Sequence, residues 1–138
     1  PNCENRKDLH TYFDETIEAL GSGCFDIFAH PDLPMAGIGE WDDDLAVCFS
    51  DLIDAAIDAD IPLEINGEGM NRSQKMTRKG LRYQYPFLEF WQLAKSKGAK
   101  IIANADCHAP ERLLSNTKQA RAFAKELGIQ LIENPLKI

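Results

Sequence analysis

The chain is predicted to be α/β, with mostly parallel strands alternating with helices. Two observations predict it. Short apolar runs of strand length alternate with longer segments whose apolar residues recur at helical spacing, and Gly98 and Gly128 each close a helical segment just before the next strand. A third observation concerns function: two of the apolar runs stop directly at histidine- and aspartate-bearing turns, His30-Pro31-Asp32 and Asp106-Cys107-His108.

Asp8 is placed to cap a helix over residues 9–20, in which Leu9, Tyr12, Phe13, Ile17 and Leu20 keep helical spacing and Gly21 and Gly23 end the pattern. A strand over residues 25–29 follows and leads into His30. Beyond a Pro- and Gly-rich loop at 31–40, Trp41 and the acidic Asp42, Asp43 and Asp44 mark a helix start, because carboxylates favour the positive end of the helix dipole. This helix should run to about residue 59, burying Leu45, Val47, Cys48, Leu52, Ile53, Ala56 and Ile57. Metal binding by Asp42–Asp44 is the minor reading.

The strand at 63–65 ends in Asn66 and Gly67. Residues 67–84 are polar, rich in Arg and Lys and without an apolar period, which reads as a long binding loop or lid, or a solvated loop. Pro86 opens a helix to about residue 96. A strand over 100–104 reaches the Asp-Cys-His turn, a helix spans about 116–127, and a short strand is expected at 129–132.

Composition bounds the function. The 138 residues are 44% hydrophobic and 27% charged, enough for one packed domain. The apolar runs fall short of the ~20 residues that span a bilayer, and the first residues lack a signal-peptide pattern, so no membrane association and a cytoplasmic location are the default expectations. The net charge of -7 disfavours a nucleic-acid surface. Cys3, Cys24, Cys48 and Cys107 form no C-x-x-C pair and are expected to be free thiols.

At the carboxyl end of a parallel strand, a carboxylate and an imidazole two residues apart point to the same side and can share one metal ion. His30, Asp106 and His108 are therefore the candidate metal ligands. Glu64 alternates away from Leu63 and Ile65, and is either a ligand or the partner of a buried cation. Asn66 is either a hydrogen-bonding group of the rim or a left-handed turn residue. Asp32 reads as a loop carboxylate, with support of His30 as the alternative. Tyr85, Phe87, Phe90 and Trp91 read mostly as core, Tyr85 being the one with a plausible ligand contact. Cys107 has no neighbour that would make it a nucleophile.

With these residues placed, the chain resembles the C-terminal part of the polymerase and histidinol phosphatase (PHP) family of metal-dependent phosphoesterases, and within it the histidinol-phosphatases. The stretches that carry the resemblance are Phe25-Asp-Ile-Phe-Ala-His-Pro-Asp-Leu33, Leu63-Glu-Ile-Asn-Gly67, Tyr85-Pro-Phe-Leu-Glu-Phe-Trp-Gln-Leu-Ala94 and Ala105-Asp-Cys-His-Ala-Pro110, in that order. The resemblance implies the C-terminal part of a distorted (β/α)7 TIM-like barrel over residues 1–138, with zinc, manganese or iron at the C-terminal rim, two or three ions in a complete site. His30, Asp106 and His108 would be the retained ligands. The family's first His-x-His motif has no counterpart, since His10 falls inside a helix. An N-terminal metal-binding half is thus expected to be missing, and the start at Pro1 points to cutting or processing.

The implied activity is hydrolysis of a small phosphate monoester by metal-activated water, very weak or absent in these residues alone. The resemblance also implies a phosphate-binding Arg after Asn66, for which Arg72 ranks first and Arg82 second, with Arg78 also present. Two alternatives stand beside this reading: a PHP phosphoesterase acting on nucleotides or nucleic-acid ends, and a non-catalytic half-barrel that self-associates through an exposed sheet edge.

Overall fold

The computed structural model describes residues 6–133 and residue 135. Cys3 and Pro1 lie outside them. The chain forms α1 (Arg6–Gly21), α2 (Asp43–Asp58), β1 (Leu63–Asn66), β2 (Lys75–Thr77), β3 (Gly80–Arg82), α3 (Leu88–Ser96), β4 (Ile101–Asn104) and α4 (Leu113–Glu126).

The mixed α/β character is as expected. β1 and β4 pair in parallel, Leu63 opposite Ile101 and Asn66 opposite Asn104. On the far side of β1, Phe28 makes a parallel bridge to Leu63, with its N–H donating to the Pro62 carbonyl at 3.0 Å. On the far side of β4, the Ile132 N–H donates to the Ile101 carbonyl at 2.9 Å. The ladder therefore runs in chain order from Phe28 through β1 and β4 to Ile132. The expected strands at 25–29 and 129–132 are reduced to these single bonded positions, because neither segment repeats the pairing needed for a regular strand.

Alternation divides the strands into two faces. Leu63, Ile65 and Ile101 join one apolar cluster with Phe49, Leu52 and Ile53 of α2, Phe90, Trp91 and Ala94 of α3, and Ala120 and Ala124 of α4. Glu64, Asn66 and Asn104 alternate with them. In α2, Asp42 takes the cap, accepting from the Leu45 N–H at 2.9 Å. That bond first, and then Arg6, hold its carboxyl below the ordinary range. Val47 and Ile57, expected on the buried side, are exposed.

Three other expectations are corrected. Residues 67–84 are not one long loop: a 3-10 turn at Glu68–Asn71 is followed by an antiparallel hairpin with Met76 opposite Leu81. Its strands are three residues each, too short to show a period, and its turn is closed by Thr77 Oγ1, which donates to the Gly80 carbonyl at 2.9 Å. The helix expected from Pro86 begins at Leu88, and the one expected from residue 116 begins at Leu113, after a 3-10 turn at Pro110–Arg112. Asn116 is buried inside α4.

Candidate functional site

The carboxyl ends of the parallel ladder bring together His30, Glu64, Asn66 and Asp106. Asn66 is the hub. Its Nδ2 donates to Asp106 Oδ2 at 2.7 Å and to Glu64 Oε2 at 3.3 Å, while its Oδ1 accepts from the N–H groups of Glu68 at 3.0 Å and Gly69 at 3.4 Å. It is thus a hydrogen-bonding group of the rim in ordinary strand conformation. Among the described residues, Glu64 pairs with no Lys or Arg. Its Oε2 accepts from the His30 N–H at 3.2 Å, so the carboxylate tethers the His30 backbone to β1.

His30 and Asp106 both have left-handed backbones, with φ of 35° and 43°. Non-glycine residues there carry strain of about 1–3 kcal/mol, and such strain persists where surrounding bonds impose it. The Glu64 bond to His30 and the Asn66 bond to Asp106 are those bonds. Asp60 is also left-handed, but it follows the end of α2, where that conformation commonly ends a helix.

His108 Nε2 lies 3.9 Å from Asp106 Oδ1, and the side chains are 68% and 40% exposed. One ion bound at about 2.0–2.2 Å to each atom would span that distance, so this pair fits a single divalent cation. His30 does not complete the group. Among the described residues, the one set of three ligand atoms from His, Cys, Asp or Glu within 4.8 Å of one another is His10, Asp44 and Cys48, on the α1–α2 surface.

Tyr85 lies beside His30, and Arg72 lies over Tyr85. The His30 and Tyr85 rings are 6.3 Å apart, and the Arg72 guanidinium lies over the Tyr85 ring, 5.5 Å from its centre. Burial pushes the Tyr85 hydroxyl up in pKa, with Arg72 opposing the shift. Tyr85 is buried, whereas Arg72 is exposed at the rim.

Arg82, the second phosphate-binding candidate, directs its guanidinium into the fold. Its Nη1 donates to the carbonyls of Tyr83 at 2.8 Å and Gln84 at 3.2 Å, its Nη2 to those of Met35 at 3.0 Å and Ile38 at 2.7 Å, and the group lies over the Phe87 ring at 4.7 Å. It is a brace between the hairpin and the loop after His30. Arg78 pairs with Glu40 at 3.1 Å.

Asp32 is corrected. It is 1% exposed, not a loop carboxylate, and its Oδ2 accepts from the Phe87 N–H at 2.6 Å and the Trp91 Nε1–H at 2.8 Å. Burial pushes its carboxyl up to about 6, against these two bonds. It thus fastens the segment after His30 to the start of α3.

A second network was invisible in the sequence. Buried Glu68 accepts from Asn116 Nδ2 at 2.9 Å and Arg112 Nη1 at 3.2 Å, and Asn116 also donates to the Ala105 carbonyl at 3.0 Å. The backbone next to Asp106 is thereby tied to α4. The only sequence signal was an Asn at a core-facing helical position. A separate cleft of about 480 Å³ lies between the hairpin and α3, lined by Trp41, Leu81, Phe87 and Phe123, and contains none of the three candidate metal ligands.

No protein-family profile matches the chain, and a search of curated proteins finds no match. Among the described residues, no helix is long and apolar enough to cross a membrane.

Proposed function

We propose that this chain contributes part of the metal site of a PHP-type phosphoesterase, histidinol-phosphatase-like, acting on a small phosphate monoester. The observation that carries the reading is the tethering of Asp106, beside His108, to Asn66 at 2.7 Å, with His30 held at the same end of the ladder. A C-terminal strand end is where (β/α) barrels gather their chemistry, and the chain-order parallel ladder supports the C-terminal part of such a barrel.

The Asp106–His108 pair would hold one zinc, manganese or iron ion, and His30 would serve a neighbouring one. Bound ions would offset phosphate charge and make water nucleophilic at neutral pH. Arg72, exposed over the Tyr85 ring, would meet the remaining phosphate charge. Asn66 positions Asp106, and Glu64 positions His30. The three ligands are an incomplete shell, so these residues alone should hydrolyse very slowly.

The test is phosphate release from small monoesters, with and without added Mn²⁺ or Zn²⁺, by the full parent protein and its His108→Ala and Arg72→Ala forms. Metal-dependent release that His108→Ala abolishes supports the reading. Release indifferent to metal, or none on any small monoester, overturns it.

A second reading, a non-catalytic half-barrel with an assembly role, is favoured by His30 standing outside the Asp106–His108 pair. A strictly monomeric, well-folded species in sedimentation would count against it.

A further inference from the structure

Three donors of different chemistry meet on the surface formed by α1 and α2. Asp44 and Cys48 are one turn apart on α2, so both face the same way, and His10 reaches them from α1. His10 Nε2 lies 3.1 Å from Asp44 Oδ2, and its Nδ1 lies 3.7 Å from Cys48 Sγ. One donor atom from each falls within 4.8 Å of the others.

We propose that His10, Asp44 and Cys48 form a surface site for a thiophilic divalent metal of the Zn²⁺ class, bound by imidazole nitrogen, carboxylate oxygen and thiolate sulfur with solvent as the fourth ligand. Bonds of about 2.0–2.3 Å to such donors put neighbouring ligands of a tetrahedral ion roughly 3.3–3.8 Å apart. These two contacts use different nitrogens of the His10 ring, of which an ion would take one; with one donor atom from each residue within 4.8 Å of the others, closure to that range is a matter of side-chain adjustment.

The surrounding charge favours a cation. The Cys48 thiol lies in the field of Asp44, Asp51 and Asp14, with Arg6 opposing them. Arg6 donates to Asp44 Oδ2 at 3.1 Å and also pairs with Asp42, so it keeps a partner when metal takes Asp44. On binding, the Cys48 S–H proton leaves to solvent, while the neutral imidazole offers a lone pair and Asp44 is already anionic. Imidazole and thiolate select zinc, cobalt or copper over magnesium and calcium. Joining two helices that already pack through Phe13 and Phe49, the ion would act as a surface staple between them.

The site differs from the rim in having a sulfur ligand, so the two can fail separately. The experiment is titration of the full, reduced chain with Co²⁺, following the sulfur-to-cobalt charge-transfer band, in wild type and in Cys48→Ser, His10→Gln, Cys107→Ser and His108→Ala forms. The expected result is a one-equivalent band that disappears in Cys48→Ser, weakens or disappears in His10→Gln, and persists in Cys107→Ser and His108→Ala. Absence of the band in wild type, or its survival in Cys48→Ser, overturns the proposal. Circular dichroism of each form separates loss of the ligand from loss of the fold, and Zn²⁺ should raise the melting temperature of wild type by more than that of Cys48→Ser, which keeps the rim pair.

Discussion

The side-chain amide of Asn66 donates to Asp106 Oδ2 at 2.7 Å, joining the carboxyl ends of two neighbouring parallel strands. Because its oxygen also accepts from the Glu68 and Gly69 N–H groups, one buried side chain sets both the Asp106 carboxylate and the turn that follows β1. Asn66→Ala leaves these partners unsatisfied and should cost about 2–4 kcal/mol, read as a lower urea midpoint. Weakening of divalent-metal affinity by roughly 10- to 100-fold should accompany it, as for other groups that orient a ligand. Unchanged stability would show that the amide is dispensable.

Asp32 should give the protein an inverted pH response. Its folded-state value of about 6 lies above the ordinary 3.8, so the folded chain holds the proton more tightly than the unfolded chain between those values. The contribution is fully present below about 3.8 and is lost as pH rises through about 6. Other carboxylates titrate too, so the informative quantity is the difference between wild type and Asp32→Asn. Between pH 7 and pH 5, wild type should gain about 1–2 kcal/mol relative to the variant in urea melts. A constant difference across that range would mean that Asp32 titrates normally.

The helices and both paired parallel strands were legible because their periods are long or their apolar runs dense, as in Leu63–Asn66 and in Leu45, Leu52, Ile53 and Ala56 of α2. His30, Asn66 and Asp106 were legible as rim residues because each ends an apolar run. What escaped was decided by distant contacts. Asp32 and Phe87 are 55 residues apart, so nothing local to His30-Pro31-Asp32 announces that the carboxylate closes over α3. Arg82 looks like any basic loop residue until the Met35 and Ile38 carbonyls arrive beside it. The Asp44, Cys48 and His10 meeting required two helices to pack, although the one-turn spacing of Asp44 and Cys48 was readable.

Arg82 and Arg72 should separate fold from function. Removing the Arg82 guanidinium strips donors from four carbonyls, so Arg82→Ala should lower stability by about 2–4 kcal/mol. Arg72 is exposed and rests on Tyr85, so Arg72→Ala should change stability by less than about 0.5 kcal/mol while weakening inorganic phosphate binding. Parallel urea melts and phosphate calorimetry make the comparison. Equal effects of the two substitutions on stability would contradict the division of roles.

Gly69 is required by proximity. A Cβ there would fall inside van der Waals contact of the Tyr85 ring and carbonyl, whereas one at Gly39 would meet nothing within 4 Å. Gly69→Ala should therefore destabilise by about 1–3 kcal/mol, and Gly39→Ala should be near neutral. Since Tyr85 lies beside His30, the Gly69 variant should also disturb the His30 imidazole signal in NMR. A neutral Gly69→Ala would mean that the Tyr85 segment yields freely.

Metal content tests the rim most directly. Asp106 and His108 are the described rim donors at a spacing one ion can bridge, and both are open to solvent. Elemental analysis after purification without chelator should find divalent metal that falls by about one equivalent in His108→Ala, with the Asp44–Cys48 surface accounting for what remains. His30→Ala should have a smaller effect on this ion, because His30 stands outside the pair. If His30→Ala instead removed the same equivalent, the imidazole would have to turn toward Asp106 on binding. That would make its strained backbone, held by Glu64, the pivot of the site.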